Sequence, residues 1–155
     1  MADVYFTDTS ALSKRYVAEI GTTWLQTALD PATGCSVYIV GITAVELIAA
    51  LTRRERGGTL SPTDAAAARA AFRAHLGAEY KSIEVTEALI HRAMLLAETK
   101  GLRGYDAVQL AAALDVNASY IAAGLPAIIL ISADAELNAA ATVEGLRVEN
   151  PNSHP

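Results

Sequence analysis

The chain has 155 residues, of which 52% are hydrophobic and 19% charged, with a formal net charge of -5. That length suits one folded core, and that apolar content excludes a disordered chain. The acidic balance argues against a basic nucleic-acid coat, though not against an enzyme that needs only a local basic rim. Cys35 is the single cysteine, so neither an internal disulfide nor a thiolate zinc site can form. No apolar run reaches the length of a membrane span, and the first residues lack the basic, apolar and small-residue segments of a signal peptide. The expectation is a soluble, cytoplasmic protein with no membrane partner.

A first strand is predicted over 3–7, ending at Asp8 and the hydroxyls Thr9 and Ser10, with a helix from Ser10 to about Ala18. Gly21 interrupts it, and Thr22-Thr23 can cap a second helix to about Leu29. Asp30–Gly34 reads as a loop, and SVYIVG (36–41) as a strand. A helix follows from Thr43 to Arg56, with basic residues in its last turn and Gly57-Gly58 behind it. Ser61-Pro62 opens an alanine-rich helix to about Leu76; KSIEV (81–85) is a short strand; Thr86 caps a helix to Lys100. Asp106 opens a further helix that Gly124 closes, AIILIS (127–132) is the clearest strand, and a helix over 135–142 precedes a last strand over 146–150. The tail, 151–155, is expected to be loose. Continuous apolar strands alternating with helices predict an α/β domain over 1–150, built on a parallel sheet covered on both faces.

In such sheets ligands bind beyond the carboxyl ends of the strands. Asp8, Glu46, Asp106 and Asp134 are the acids placed there: two behind strands, two in first helical turns. Any one of them could be an ordinary cap or turn residue. Four together repel one another, which no stability argument requires, and a hard divalent cation with oxygen ligands relieves it. Ser10 and Ser132 stand beside two of these acids and could fix their rotamers. Asp3 lies at the wrong end of its strand. Asp115 falls half a turn out of phase with Asp106, about 13 Å along the same helix. The histidines, His75, His91 and His154, show no ligand spacing and read as surface residues.

DTSALSKRY, TAVEL, LRGYDAVQLAAAL and LISADAELNAAATVEGLRVENP, in this order over nearly the whole chain, resemble PIN-domain ribonucleases, and most closely the VapC-type toxins of toxin–antitoxin pairs. The resemblance implies a three-layer α/β/α sandwich with a small parallel sheet. It implies a Mg²⁺- or Mn²⁺-dependent endoribonuclease in which Asp8, Glu46, Asp106 and Asp134 are the catalytic, metal-binding quartet, with the family's hydroxyl kept at Ser132; Ser10, beside Asp8, is read from its position as a second supporting residue. It also implies an RNA substrate, a homodimer, and an antitoxin whose Arg or Lys enters the acidic site. Lys14, Arg15 and Arg103 lie near these motifs and could meet RNA phosphates. Two rival readings are kept: an inactive PIN-like domain that binds RNA or protein, and a phosphatase with a strand-end aspartate nucleophile. The phosphatase wants a second aspartate at the position held by Ser10.

Overall fold

A computed structural model describes residues 1–155. Five strands form one all-parallel sheet: β1 (Val4–Thr7), β2 (Ser36–Val40), β3 (Tyr80–Ile83), β4 (Ile129–Ile131) and β5 (Arg147–Glu149), in the order β3-β2-β1-β4-β5. The helices are α1 (Thr9–Leu12), α2 (Thr22–Ala28), α3 (Ile42–Arg56), α4 (Pro62–Ala78), α5 (Glu87–Lys100), α6 (Gly104–Ala122) and α7 (Ala135–Val143). They cover both faces of the sheet, making the three-layer α/β/α sandwich.

Alternate side chains of β1 explain why its strands read as unbroken apolar runs. Phe6 packs into a core shared with α5, α6 and α7, whereas Tyr5 packs into a second core with α1, α2, α3 and α4. Each face is buried, which favours apolar side chains at both sets of positions. The strand order reverses at β1: the chain moves outward through β2 and β3, then returns to add β4 and β5 on the other side. Such a reversal opens a crevice at the carboxyl edge between β1 and β4. The register pairs Thr7 with Ile131, so the residues that leave the sheet next, Asp8 and Ser132, emerge side by side.

Three local expectations change. The first helix is only four residues long and passes into a 3-10 turn, Ser13–Arg15, so it ends before Ala18. Helix α6 starts at Gly104, which makes Asp106 a first-turn residue rather than the opening one. The tail is docked rather than loose: Pro151–Ser153 form a 3-10 turn, Pro151 is buried, and the His154 ring stacks on Trp24 at 4.1 Å between centroids. His154 also lies 3.2 Å from Glu149. Backbone fit dictates the docking. Gly21 adopts φ +88, and a Cβ there would sit 2.3 Å from the Pro151 carbonyl oxygen, so only glycine admits so close an approach.

Candidate active site

Asp8 is the most constrained acid of the crevice. It caps α1, accepting from Ala11 N at 3.0 Å. Its oxygens also accept from Ser10 Oγ at 2.8 Å and from Ser132 Oγ at 3.0 Å. These hydroxyls are anchored in turn, Ser10 Oγ by Ala133 N (3.0 Å) and Ser132 Oγ by Asp134 N (3.1 Å). The two serines thereby link the exits of β1 and β4 through one carboxylate. Asp8 is only 3% exposed, and burial pushes its pKa up to about 6, against the lowering effect of the three hydrogen bonds; nearby Asp106 raises it further.

Glu46 stands on α3, held by Thr9 Oγ1, which donates to Oε2 at 3.1 Å. Its Oε1 is buried with no hydrogen-bond partner. Asp106, in the first turn of α6, and Asp134, the cap of α7 through Leu137 N (2.9 Å), occupy the opposite wall. Burial raises the pKa values of both Glu46 and Asp106; Asp106 pushes that of Glu46 higher, and Asp134 that of Asp106. The field of Asp106 thus reaches Asp8 and Glu46 as well as its neighbour Asp134, and the four acids line one cleft of about 210 Å³.

Arg103 is the cation that lines this cleft. Its guanidinium bridges Asp106 (Nε to Oδ2, 3.5 Å) and Asp134 (Nη2 to Oδ2, 3.2 Å) while remaining 74% exposed. Lys14 and Arg15 are elsewhere. Lys14 is buried against Glu19 at 3.6 Å. Arg15 pairs with Glu79 at 2.7 Å and donates to Tyr80 OH at 2.6 Å, lining a separate groove of about 710 Å³ against α4. Both are engaged by partners within the fold and stand outside the lining of the acidic cleft. His75 belongs to the same network through Tyr16 OH (2.8 Å) rather than to open surface. Asp115 pairs with Arg92, consistent with its position away from the cleft.

Three contributors escaped the sequence reading. Thr9 orients Glu46; Asn138 Nδ2 holds the Ser132 carbonyl at 2.8 Å; and Gln109, 2% exposed, lines the cleft with its Nε2 bonded to Thr43 Oγ1 at 2.9 Å. Gln109 did carry a signal: it is the polar residue three positions after Asp106 in an otherwise apolar helical run.

The donor set suits a hard cation in kind, since carboxylate, hydroxyl and amide oxygens are all hard ligands and two of them, Glu46 Oε1 and Gln109 Oε1, lack partners. Yet no three acidic side chains stand where they could hold a metal ion together as arranged here. Arg103 places positive charge against both Asp106 and Asp134.

The PIN domain family model matches residues 5–143, and the chain belongs to that family. Solved structures share the fold at low identity. PAE2754 from Pyrobaculum aerophilum is 23% identical with a TM-score of 0.65, covering 99% of this chain and 93% of that one. A toxin–antitoxin complex from Klebsiella pneumoniae contains a chain 18% identical, TM-score 0.63, with 95% and 97% covered. VapC20 of Mycobacterium tuberculosis, described as a sarcin–ricin loop cleaving toxin, is 19% identical, TM-score 0.63, with 97% and 99% covered. Comparison with curated proteins found no match.

Proposed function

We propose that this protein is a divalent-metal-dependent endoribonuclease, the VapC-type toxin of a toxin–antitoxin pair. The observation that carries the reading is the convergence of Asp8, Glu46, Asp106 and Asp134 on one cleft at the strand-order reversal, where burial and mutual repulsion raise the pKa values of three of them. Family membership and likeness to toxins whose structures are solved support it. Asp8, Asp106 and Asp134 would hold Mg²⁺ or Mn²⁺, with Glu46 on the facing wall. The ion would polarise a phosphodiester and acidify an attacking water.

The chain's own groups divide the remaining work. Ser10 and Ser132 keep Asp8 in one rotamer, and Thr9 keeps Glu46 turned into the cleft. Glu46, with its unpartnered Oε1 and raised pKa, would be the group that takes a proton from water. Arg103 is exposed enough to leave its carboxylates and meet a phosphate oxygen of RNA. A phosphatase fits poorly, because Asp8 is buried with its oxygens engaged and Ser10 stands where the second aspartate is needed. An antitoxin Arg or Lys would take the position between Asp106 and Asp134 that Arg103 occupies. Ile90 and Met94, one turn apart and exposed on α5, favour a dimer surface.

The test is cleavage of a structured RNA with Mg²⁺ or Mn²⁺, with EDTA, and with Asp106→Asn. Cleavage lost in both controls is expected. Undiminished cleavage in EDTA refutes the metal mechanism, and an antitoxin complex that still cleaves refutes the blocking role.

A further inference from the structure

Gln109 is buried where an amide is hard to justify by packing. Its helical neighbours Ala107, Leu110 and Ala111 are apolar and buried. One end of its amide is used: Nε2 donates to Thr43 Oγ1, itself fully buried, at 2.9 Å. The other end, Oε1, is buried and has no partner. Across the cleft, Glu46 Oε1 is unpartnered in the same way. Two unsatisfied acceptors in one small acidic cleft call for a species that brings donors or positive charge, because buried acceptors are ordinarily satisfied.

The Thr43–Gln109 bond also has a geometric consequence. Thr43 lies three residues before Glu46 on α3, and Gln109 three residues after Asp106 on α6, so each pair shares a helix face. Tying Thr43 to Gln109 fixes the separation of the helices that carry Glu46 and Asp106. One of the two Nε2 hydrogens is used in this tether, and the Oε1 acceptor of this cleft-lining side chain is left without a partner.

We propose that Gln109 is a positioning residue of the cation site, tethered by Thr43 so that its Oε1 accepts a hydrogen bond from the hydration shell of the divalent cation that Asp8, Asp106 and Asp134 would hold. A neutral acceptor suits the place. It orients shell water without adding a further negative charge to a cleft already crowded with carboxylates. This role rests on the metal-dependent reading above and adds a residue to it.

Mn²⁺ binding tests it without any RNA. Free Mn²⁺ is followed by electron paramagnetic resonance during titration of the wild-type protein, Gln109→Met and Gln109→Glu, with thermal melts in parallel. Loss of an outer-shell partner is expected to weaken Mn²⁺ binding about 10-fold or more in Gln109→Met. Gln109→Glu, which keeps the acceptor and adds charge, is expected to bind more tightly than wild type. Wild-type affinity in a cooperatively melting Gln109→Met overturns the role. If Gln109→Met does not melt cooperatively, Gln109→Glu decides alone: tighter binding supports the role, and unchanged or weaker binding overturns it. A wild-type protein that binds no Mn²⁺ overturns the metal reading and this inference with it, whereas failure confined to the Gln109 variants leaves the metal reading standing.

Discussion

Replacing Asp8 by asparagine separates the cost of a buried charge from the shape that holds it. Burial raises the Asp8 pKa from 3.8 to about 6. A difference of that size corresponds to about 3 kcal/mol disfavouring the ionised side chain in the folded protein. Because the folded value is the higher one, the associated stability is fully present below the unfolded value and is lost as pH rises through about 6. At pH 8 in EDTA the wild-type protein bears the whole penalty, and Asp8→Asn does not. Asparagine remains a good cap and can still accept from Ala11 N. It does give up an acceptor toward Ser10 or Ser132, a loss of about 1 kcal/mol. The net gain is therefore about 2 kcal/mol, or a Tm higher by about 4–8 °C for a chain of this length. Calorimetric melts at pH 4.5, 6 and 8, at constant ionic strength, measure it. The gap between the two proteins should be widest at pH 8 and close toward pH 4.5, where the folded wild type is protonated. Excess Mn²⁺ at pH 8 should narrow the gap from the other side, since the wild type gains a ligand that the variant lacks. A variant that melts lower than wild type at pH 8, or a gap independent of pH, refutes the reasoning and leaves Asp8 as a structural cap.

Other outcomes are expected on the same grounds. Mn²⁺ affinity should fall as pH drops through about 6, because Asp8 must lose its proton to bind a cation; an isotherm unchanged between about pH 5 and 8 contradicts this. Arg103→Ala should change stability by less than about 0.5 kcal/mol, since the side chain is mostly exposed, while tightening Mn²⁺ binding several-fold by removing a competing cation; equal affinity argues against the competition. Gly21→Ala should lower Tm by several degrees by driving a methyl group into the Pro151 carbonyl, and in a chain lacking 151–155 the same substitution should cost far less, save for the strain of a positive φ. Tm values of the 155-residue chain and of the truncated chain, each with and without Gly21→Ala, test the pairing.

How much of this was legible beforehand depends on the range of each contact. Helix ends were readable because capping is local: Ser61, Thr86 and Asp134 each accept from a backbone N–H three residues on. Strand positions were readable because both faces of a parallel sheet are buried. The partners of Lys14 and Arg15 were not legible from the same local view. Nearness to DTS in sequence says nothing of where a side chain goes after a 3-10 turn rotates it, and here Glu19, Glu79 and Tyr80 take both charges. The tail was misread because its anchors, Trp24 and Gly21, lie far upstream in the chain.

The site divides along the same line. Sequence alone determined which acids end strands or begin helices, since those positions follow from apolar period and capping chemistry. Only tertiary structure decided what surrounds them. The adjacent emergence of Asp8 and Ser132 depends on β4 pairing with β1 in one register. Thr9 meets Glu46, and Gln109 meets Thr43, across 37 and 66 residues of chain. Such contacts are set by how helices pack on a sheet, a property of the whole core. The raised pKa values of the cleft arise there too, because desolvation exists only once the core has closed around the carboxylates.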